Sequence, residues 1–243
     1  SSVEASSTSG LQGDHPSRTI CVLGMHRSGT SCLTGSLQEA GLQLGDCHTW
    51  NPFNLKGNRE NQAFVDLHDA ILEANGGSWD HPPANAQWSE RHLAMGRELV
   101  AAHSHLPVMG FKDPRTLLVL EGWQQLEPKM EFVGIFRHPN AVAASLARRS
   151  KMKRKEALRL WYEYNKRLLN AFRRTPFPVL CFDASEQEFQ QHLAGVIKTL
   201  ELQPAEVGEN FYDGDLKNFD HQSSGRLPLK VGYLYKRLKA ICV

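Results

Sequence analysis

Residues 19–37, TICVLGMHRSGTSCLTGSL, constrain the fold more than any other part of the chain. The first six form a short apolar run that ends in Gly24, which is typical of a buried parallel strand. After Gly29, helical spacing joins the apolar residues Cys32, Leu33, Leu37 and Ala40, and Gly41 closes the segment. A strand, a glycine-bounded loop and a helix in this order predict a phosphate-binding loop, because backbone N–H groups and a helix N-terminus surround one concavity.

The loop departs at one position from that of a nucleoside triphosphatase. Such enzymes have Lys directly after the second glycine, whereas this chain has Thr30 there, and the nearest cation is Arg27. The cradle therefore suits a nucleotide with a short 5′ anionic chain, held by amides, by Arg27 and by the hydroxyls of Ser28, Thr30 and Ser31. The alternative is a strand-to-helix turn that binds nothing.

The remaining pattern predicts an α/β fold. Further apolar runs predict strands that end near Lys112, Arg137 and Asp183, and helical spacing recurs at about 60–74, 89–103, 139–150 and 155–173. Alternating strands and helices predict a parallel central sheet with helices on both faces. We expect a disordered tail over 1–17, rich in Ser and Gly, and one domain over 18–243.

Composition limits the partners. The 243 residues are 41% hydrophobic and 22% charged, with a net charge of +2, as in ordinary soluble globular proteins without a general affinity for nucleic acid. No apolar run approaches a membrane span, and the first residues lack a signal-peptide pattern, so no membrane partner is expected. Five scattered cysteines without a CxxC pair favour a reducing compartment, hence a cytoplasmic location, and exclude a cysteine zinc site.

Two further groups of side chains follow predicted strands. Arg137 ends one strand, and Ser145 lies eight residues on, about two helical turns later. Lys112 and Arg115, in FKDPR, follow another strand. Open parallel sheets bind ligands at the carboxyl ends of their strands. Arg137 and Ser145 could therefore hold a second phosphate, although an Arg at a strand end can also be an ordinary surface charge, and Lys112 and Arg115 form a cationic cluster at the same edge.

Together, RSGTS after a strand and R-x₇-S on a later strand and helix resemble the sulfotransferases that use 3′-phosphoadenosine 5′-phosphosulfate (PAPS). Arg27, in place of the Lys of cytosolic members, is closer to the bacterial and tyrosylprotein branches, and KDP at 112–114 is similar to a segment of the tyrosylprotein enzymes. The resemblance implies the sulfotransferase fold. It also implies that the loop from His26 to Ser31, with Gly29 and Thr30, holds the phosphosulfate, while Arg137 and Ser145 hold the 3′-phosphate.

The same resemblance implies transfer of a sulfuryl group from PAPS to a hydroxyl-bearing acceptor, such as a carbohydrate, small molecule or peptide. Arg27 and Lys112 would meet the charge that develops on the leaving group, without a metal ion. Glu60 resembles the catalytic Glu of the tyrosylprotein enzymes, and His48 and His26 are the other candidate bases. Glu60 could instead be an acid favoured at the start of a helix.

Other segments leave alternatives open. The basic residues Arg148, Arg149 and Lys151 could border the 3′-phosphate or an anionic acceptor, and the next helix should combine a core-facing side with a solvated basic side. A late polar segment with Lys217 and Arg226 could close over the 3′-phosphate or be a surface loop. Aromatic residues in loops could form an acceptor wall or pack in the core: Trp50, Phe53, Trp79 and Trp88. The rival functions are a P-loop nucleoside or nucleotide kinase and an inactive PAPS- or glycan-binding module.

Overall fold

A computed structural model describes residues 16–45, 58–203 and 225–243. Four parallel strands form one sheet in the order β2-β1-β3-β4. They are β1 (Arg18–Leu23), β2 (Val108–Lys112), β3 (Glu131–Phe136) and β4 (Val179–Cys181). All four predicted strands are confirmed. Residues 1–15 of the predicted tail lie outside the described residues.

Eight α-helices lie in the described part of the chain, and a 3₁₀ helix (Pro114–Leu118) follows β2. They are α1 (Thr30–Glu39), α2 (Gln62–Ala74), α3 (Glu90–Ala102), α4 (Leu120–Leu126), α5 (Pro139–Ser150), α6 (Arg154–Arg174), α7 (Glu186–Thr199) and α8 (Leu229–Ile241). The sequence did not predict α4, α7 or α8. A capping signal was present for α7, because the Ser185 hydroxyl accepts a hydrogen bond from the Glu188 N–H in an S-x-x-E pattern.

One predicted helix begins later than expected, with a consequence for Glu60. The Asn61 side chain accepts a hydrogen bond from the Ala63 N–H at 3.1 Å, so Asn61 caps α2 and the helix begins at Gln62. Glu60 therefore precedes the helix instead of occupying its first turn. Its placement follows from contacts with other parts of the chain, and the interpretation as a helix-start acid is wrong.

Helices cover both faces of the sheet, as predicted. Side chains alternate along β1, so that Ile20 and Val22 face one side and Cys21 and Leu23 face the other. The first side packs on α1 and α7, and the second packs on α2, α6 and the helices around them. These four of the six β1 residues are completely buried, which explains the apolar run from Ile20 to Leu23.

The strand order fixes where a ligand can bind. The chain leaves β1 for β2 on one side, then crosses to β3 on the other, so the order reverses next to β1. Ligands of open α/β sheets bind beyond the carboxyl ends of the strands at such a reversal. The loop between β1 and α1 lies there.

Among the helices of the described residues, none combines the length and apolar character needed to cross a membrane.

Candidate functional site

A cavity of about 320 Å³ opens at the carboxyl edge of the sheet. Segments that follow each of the four strands contribute to its wall. The lining residues are His26, Arg27, Gly29, Thr30, Ser31, Cys32, Asn58, Glu60, Lys112, Pro114, Arg137, Arg149 and Phe182. The predicted grouping of the loop, Lys112 and Arg137 at one edge is therefore what the fold produces.

The loop owes its shape to two left-handed residues. Arg27 has φ 65° and Gly29 has φ 87°. Gly29 caps α1, and a Cβ atom there would lie 2.4 Å from the Phe182 ring. Only glycine combines this φ with so close a contact, which is the physical reason for the second glycine of the motif.

Arg27 joins the two predicted phosphate motifs. Its Nε donates to the Ser145 hydroxyl at 2.8 Å, and its carbonyl accepts from Arg137 Nη1 at 3.0 Å. Arg137 and Ser145 are both buried. Burial, reinforced by the positive charges of Arg149, Arg137 and Arg148, lowers the pKa of Arg27 to about 10. The side chains expected at two separate phosphates thus form one concentrated positive group.

Lys112 and Glu60 lie together in the wall of the cavity. The Lys112 ammonium donates to the Asn58 carbonyl at 2.7 Å, to Glu60 Oε1 at 3.3 Å and to the Ser31 hydroxyl at 3.4 Å. Burial lowers the pKa of Lys112, and the Glu60 carboxylate opposes that effect. Glu60 is also tied to the backbone, because its N–H donates to Asn58 Oδ1. The structure therefore brings the predicted cation and the predicted base into direct contact.

A buried hydrogen-bond chain supports this wall from behind. Trp123 Nε1 donates to His68 Nε2 at 2.8 Å, so the His68 proton is on Nδ1, which lies 2.6 Å from Asp113 Oδ2. Arg115 Nη1 donates to Asp113 Oδ1 at 2.9 Å. Although burial works against the charged form, His68 and Arg115 hold the pKa of Asp113 well below its usual range. Asp113, which directly follows Lys112, is thereby fixed as a buried anion.

Arg115 connects that chain to two further acids, Glu60 of the cavity wall and Asp69. Its Nε lies 2.8 Å from Asp69 Oδ1, and its Nη1 lies 4.0 Å from Glu60 Oε2. Arg115 was predicted to belong to a cationic cluster at the strand end. Three neighbouring carboxylates offset its charge, so it is a structural partner of Asp113 more than an open anion site.

His26 lies inside the site without a hydrogen-bond partner for its ring. Both ring nitrogens are buried, and neither has a partner among the described residues. The ring packs 4.8 Å from the ring of Trp79 and 5.5 Å from that of Tyr164. Burial, with the nearby charge of Arg115, lowers the pKa of His26 to about 3. A ring with so low a pKa is a poor proton acceptor, which argues against His26 as the base.

The cavity gathers most of the predicted residues but not all of them. Neither Ser28 nor Ser145 is among the lining residues: Ser28 is fully buried, and the buried Ser145 hydroxyl accepts a hydrogen bond from the lining residue Arg27. Sequence reasoning missed Asn58, Cys32 and Phe182 as lining residues. Phe182 directly follows β4, and the rule that ligands bind at the carboxyl ends of strands would have found it.

The loop aromatic residues and the late basic residues lie in different parts of the structure. Trp88 belongs to the core, because its ring packs 5.2 Å from that of Trp123 and its Nε1 donates to the Val119 carbonyl. Trp79 lies behind His26 and does not line the cavity. Arg226 is exposed, and its carbonyl accepts from Arg154 Nη2 at 3.4 Å. His48, Trp50, Phe53 and Lys217 lie outside the described residues.

Comparisons with known proteins point to one group of folds. No protein-family model matches the chain, and no curated protein matches it. A sulfotransferase domain from the olefin synthase of Synechococcus PCC 7002 is similar in structure, with 15% identity, a TM-score of 0.60, and 93% of this chain and 95% of that chain covered.

Two mycobacterial structures are similar as well. The sulfotransferase STF1 from Mycobacterium tuberculosis H37Rv is 13% identical with a TM-score of 0.51, covering 93% of this chain and 77% of that one. STF9 from Mycobacterium avium is 14% identical with a TM-score of 0.52, covering 94% and 76%. At such identities the likeness establishes the fold: this chain has the fold of these sulfotransferases.

Proposed function

We propose that this chain, with its sulfotransferase fold, transfers a sulfuryl group from PAPS to the hydroxyl of an acceptor and releases adenosine 3′,5′-bisphosphate. A fold hosts many functions, so the proposal depends on the chemistry of the cavity.

The observation that carries the proposal is the charge of the cavity. Its wall contains the cations Arg27, Lys112, Arg137 and Arg149 and the single acid Glu60. Burying several cations together costs free energy, as the lowered pKa of Arg27 indicates. An anionic ligand that bridges them would offset that cost. A nucleotide with phosphate groups at both its 3′ and 5′ positions is such a ligand.

The hydrogen-bond donors of the loop fit the 5′ end of PAPS. Loop amides and the N-terminus of α1 provide donors for one anionic group, and Thr30 stands where a triphosphatase has the lysine for its terminal phosphates. The buried Ser28 hydroxyl has no hydrogen-bond partner among the described residues. The donor set fits a 5′-phosphosulfate, with Arg137 and Ser145 assigned to the 3′-phosphate.

The reaction breaks the bond between sulfur and the phosphate oxygen and forms a bond between sulfur and the acceptor oxygen. The electron pair of the broken bond stays on the phosphate oxygen, where Arg27 and Lys112 stabilise the added charge. The hydroxyl proton passes to Glu60, which lies 3.3 Å from Lys112. The contact between this acid and this cation supports the assignment of proton removal and charge stabilisation to neighbouring groups.

The rival functions make different predictions. A P-loop kinase needs Mg²⁺ and a lysine after the second glycine, and Thr30 argues against it. An inactive binding module would bind the same nucleotide but transfer nothing. A requirement for Mg²⁺ would distinguish the kinase from the proposed sulfotransferase, and the absence of turnover would distinguish the binding module.

Binding of adenosine 3′,5′-bisphosphate is the first test. At about 100 times its dissociation constant the nucleotide should stabilise the protein by ~2.7 kcal/mol, which raises Tm by ~5–10 °C. The shift should persist in EDTA and should shrink in Arg27→Ala. No shift near millimolar nucleotide, or a strict requirement for Mg²⁺, would contradict the assignment.

Turnover is the second test, in a screen of carbohydrate, small-molecule and peptide hydroxyls with labelled PAPS. With any acceptor that responds, Glu60→Gln should lower turnover by ~10²–10⁴ and leave bisphosphate affinity nearly unchanged. His26→Ala is the comparison, because its low pKa makes it a poor base. Parental turnover in Glu60→Gln would remove Glu60 from the reaction, and no turnover with any acceptor would favour the binding module.

A further inference from the structure

The C-terminal helix exposes apolar side chains that the fold does not use. Three large hydrophobic residues are exposed in the described part of the chain: Leu229 at 90%, Tyr233 at 63% and Val243 at 49%. Leu229 and Tyr233 lie one turn apart on α8. Single exposed apolar residues are common on protein surfaces, but a pair on one helix face next to cations is the pattern of an interfacial helix.

The cations on α8 surround this pair. The helix contains Lys230, Lys236, Arg237 and Lys239 and no acidic residue. At about 100° per residue, Lys236 projects within ~60° of Leu229 and Tyr233. Arg237 Nη1 donates to the Tyr233 hydroxyl at 2.9 Å and holds the ring in place. The exposed side of α8 is therefore both apolar and basic.

The neighbouring helix α6 extends the basic area. It has seven basic and two acidic residues, and Lys155, Arg159, Lys166 and Arg173 share one stripe within ~60°. Tyr162 lies in the same stripe. The Tyr162 ring is half-buried, with Lys166 Nζ 5.6 Å and Lys230 Nζ 4.6 Å from its centroid. Since one lysine comes from each helix, the two basic surfaces are continuous.

We propose that this surface docks on an anionic lipid bilayer. We call it the α6–α8 face and define it by six residues: Arg159, Lys166, Leu229, Lys230, Tyr233 and Lys236. Its lysines and arginine would lie among anionic headgroups, while Leu229 and Tyr233 enter the boundary between headgroups and acyl chains. The proposal does not depend on the proposed enzymatic activity, because no residue of the face lines the cavity.

The apolar pair is what favours a membrane over another polyanion. A nucleic acid or an acidic polysaccharide would satisfy the cations, but it would gain little from an aliphatic side chain that is 90% exposed. A bilayer uses both features, since Tyr is a typical residue of the membrane interface and Leu adds apolar area. The expectation of no membrane partner came from the lack of a spanning segment, which does not address binding at the surface.

The test is sedimentation with vesicles of phosphatidylglycerol and phosphatidylcholine, compared with vesicles of phosphatidylcholine alone. The parent protein should bind the mixed vesicles at low salt, bind the neutral vesicles at least tenfold more weakly, and lose affinity as salt rises. Absence of binding to the mixed vesicles at low salt would overturn the proposal, as would equal binding to both.

Two variants separate the features of the face. Lys236→Glu should weaken partitioning by about 25-fold, since each cation near an anionic surface contributes about fivefold and this change removes one and adds an acid. Its matched control is Lys198→Glu, an exposed lysine on α7 across the sheet, which makes the same change in net charge. Equal losses in the two variants would mean that only net charge matters, contrary to the proposal.

Leu229→Ser tests the apolar contact and should weaken binding to mixed vesicles by about tenfold, because a leucine side chain no longer leaves water. Binding to heparin should not change in this variant. Unchanged vesicle binding in Leu229→Ser would refute docking by insertion, and tighter binding to heparin than to vesicles would assign the face to a soluble polyanion instead. All variants should keep the parental affinity for adenosine 3′,5′-bisphosphate.

Discussion

Replacing the buried His26 by Gln should change how the stability of the ligand-free protein depends on pH. Burial, with the charges of Arg115, Lys112 and Arg27, lowers the pKa of His26 to about 3, and Asp113 opposes this effect only in part. An unfolded histidine titrates near 6.5. Between these two values the unfolded chain binds a proton that the folded chain does not, so stability falls as pH falls through this window.

The magnitude follows from the two pKa values. At pH 5 the unfolded histidine is almost fully protonated and the folded one is neutral, and each unit between the pH and the unfolded pKa is worth about 1.4 kcal/mol. From pH 7 to pH 5 this residue alone should cost the parent about 2 kcal/mol. That is a Tm difference of ~4–8 °C for a chain of this size.

The assay is urea unfolding followed by circular dichroism at pH 7, 6 and 5, for the parent, for His26→Gln and for His105→Gln. His105 is an exposed histidine and serves as the control. The His26 variant should lose about 2 kcal/mol less than the parent over this range, whatever its stability at pH 7, and the control should follow the parent. Parallel losses in the parent and His26→Gln would show that the ring protonates freely in the folded state. His26 would then return as a candidate base.

Three other perturbations test the loop, the buried network and the second phosphate motif. Gly29→Ala should destabilise the protein by ~1–3 kcal/mol in thermal unfolding, because it combines a positive φ with a Cβ atom 2.4 Å from an aromatic ring. The control Gly195→Ala should be neutral or stabilising, since a Cβ atom added there has nothing within 4 Å. Equal effects of the two substitutions would contradict the steric argument. Asp113→Asn should cost ~3–5 kcal/mol at pH 7 in urea unfolding, since it leaves a buried ion pair without its anion. Because folding lowers the pKa of Asp113, its carboxylate stabilises the folded state above the usual Asp range, and this stabilisation is lost as pH falls below about 4. The free energies of unfolding of the parent and of Asp113→Asn should therefore converge in acid. A constant difference between them down to pH 2 would refute the assignment. In calorimetric titrations, Arg137→Ala should weaken the binding of adenosine 3′,5′-bisphosphate by ~1.5–3 kcal/mol, far more than the binding of adenosine 5′-phosphosulfate. The loss should also exceed that of Ser145→Ala. An equal loss for both ligands would mean that the 3′-phosphate is held elsewhere.

The fold was largely predictable because its signals are local. Apolar runs are short and continuous where a strand is buried on both faces, and the i, i+3, i+4 spacing of α2 and α6 follows from one side facing the core. α4 was missed because seven residues show too little periodicity, and α8 because its exposed side carries Leu229 and Tyr233, which obscure the contrast between its faces.

The candidate site was only partly predictable, since distance along the chain says little about contact across it. The motif around Gly29 and the spacing from Arg137 to Ser145 are visible in the sequence, and the parallel sheet implies that they meet at one edge. The sequence contains no sign that Arg27 hydrogen-bonds to Ser145, 118 residues away, or that Lys112 contacts Glu60.

The sequence alone predicted the four strands, five of the described α-helices and the loop between β1 and α1 that we propose binds an anion, because backbone conformation and apolar periodicity are properties of neighbouring residues. The tertiary structure decided the chemical state of those groups. Burial made His26 a neutral ring and lowered the pKa of Arg27, and the hydrogen bonds of His68 and Arg115 kept Asp113 charged. Desolvation and charge interactions depend on which side chains the packed sheet and helices bring together, and only the folded chain sets those distances.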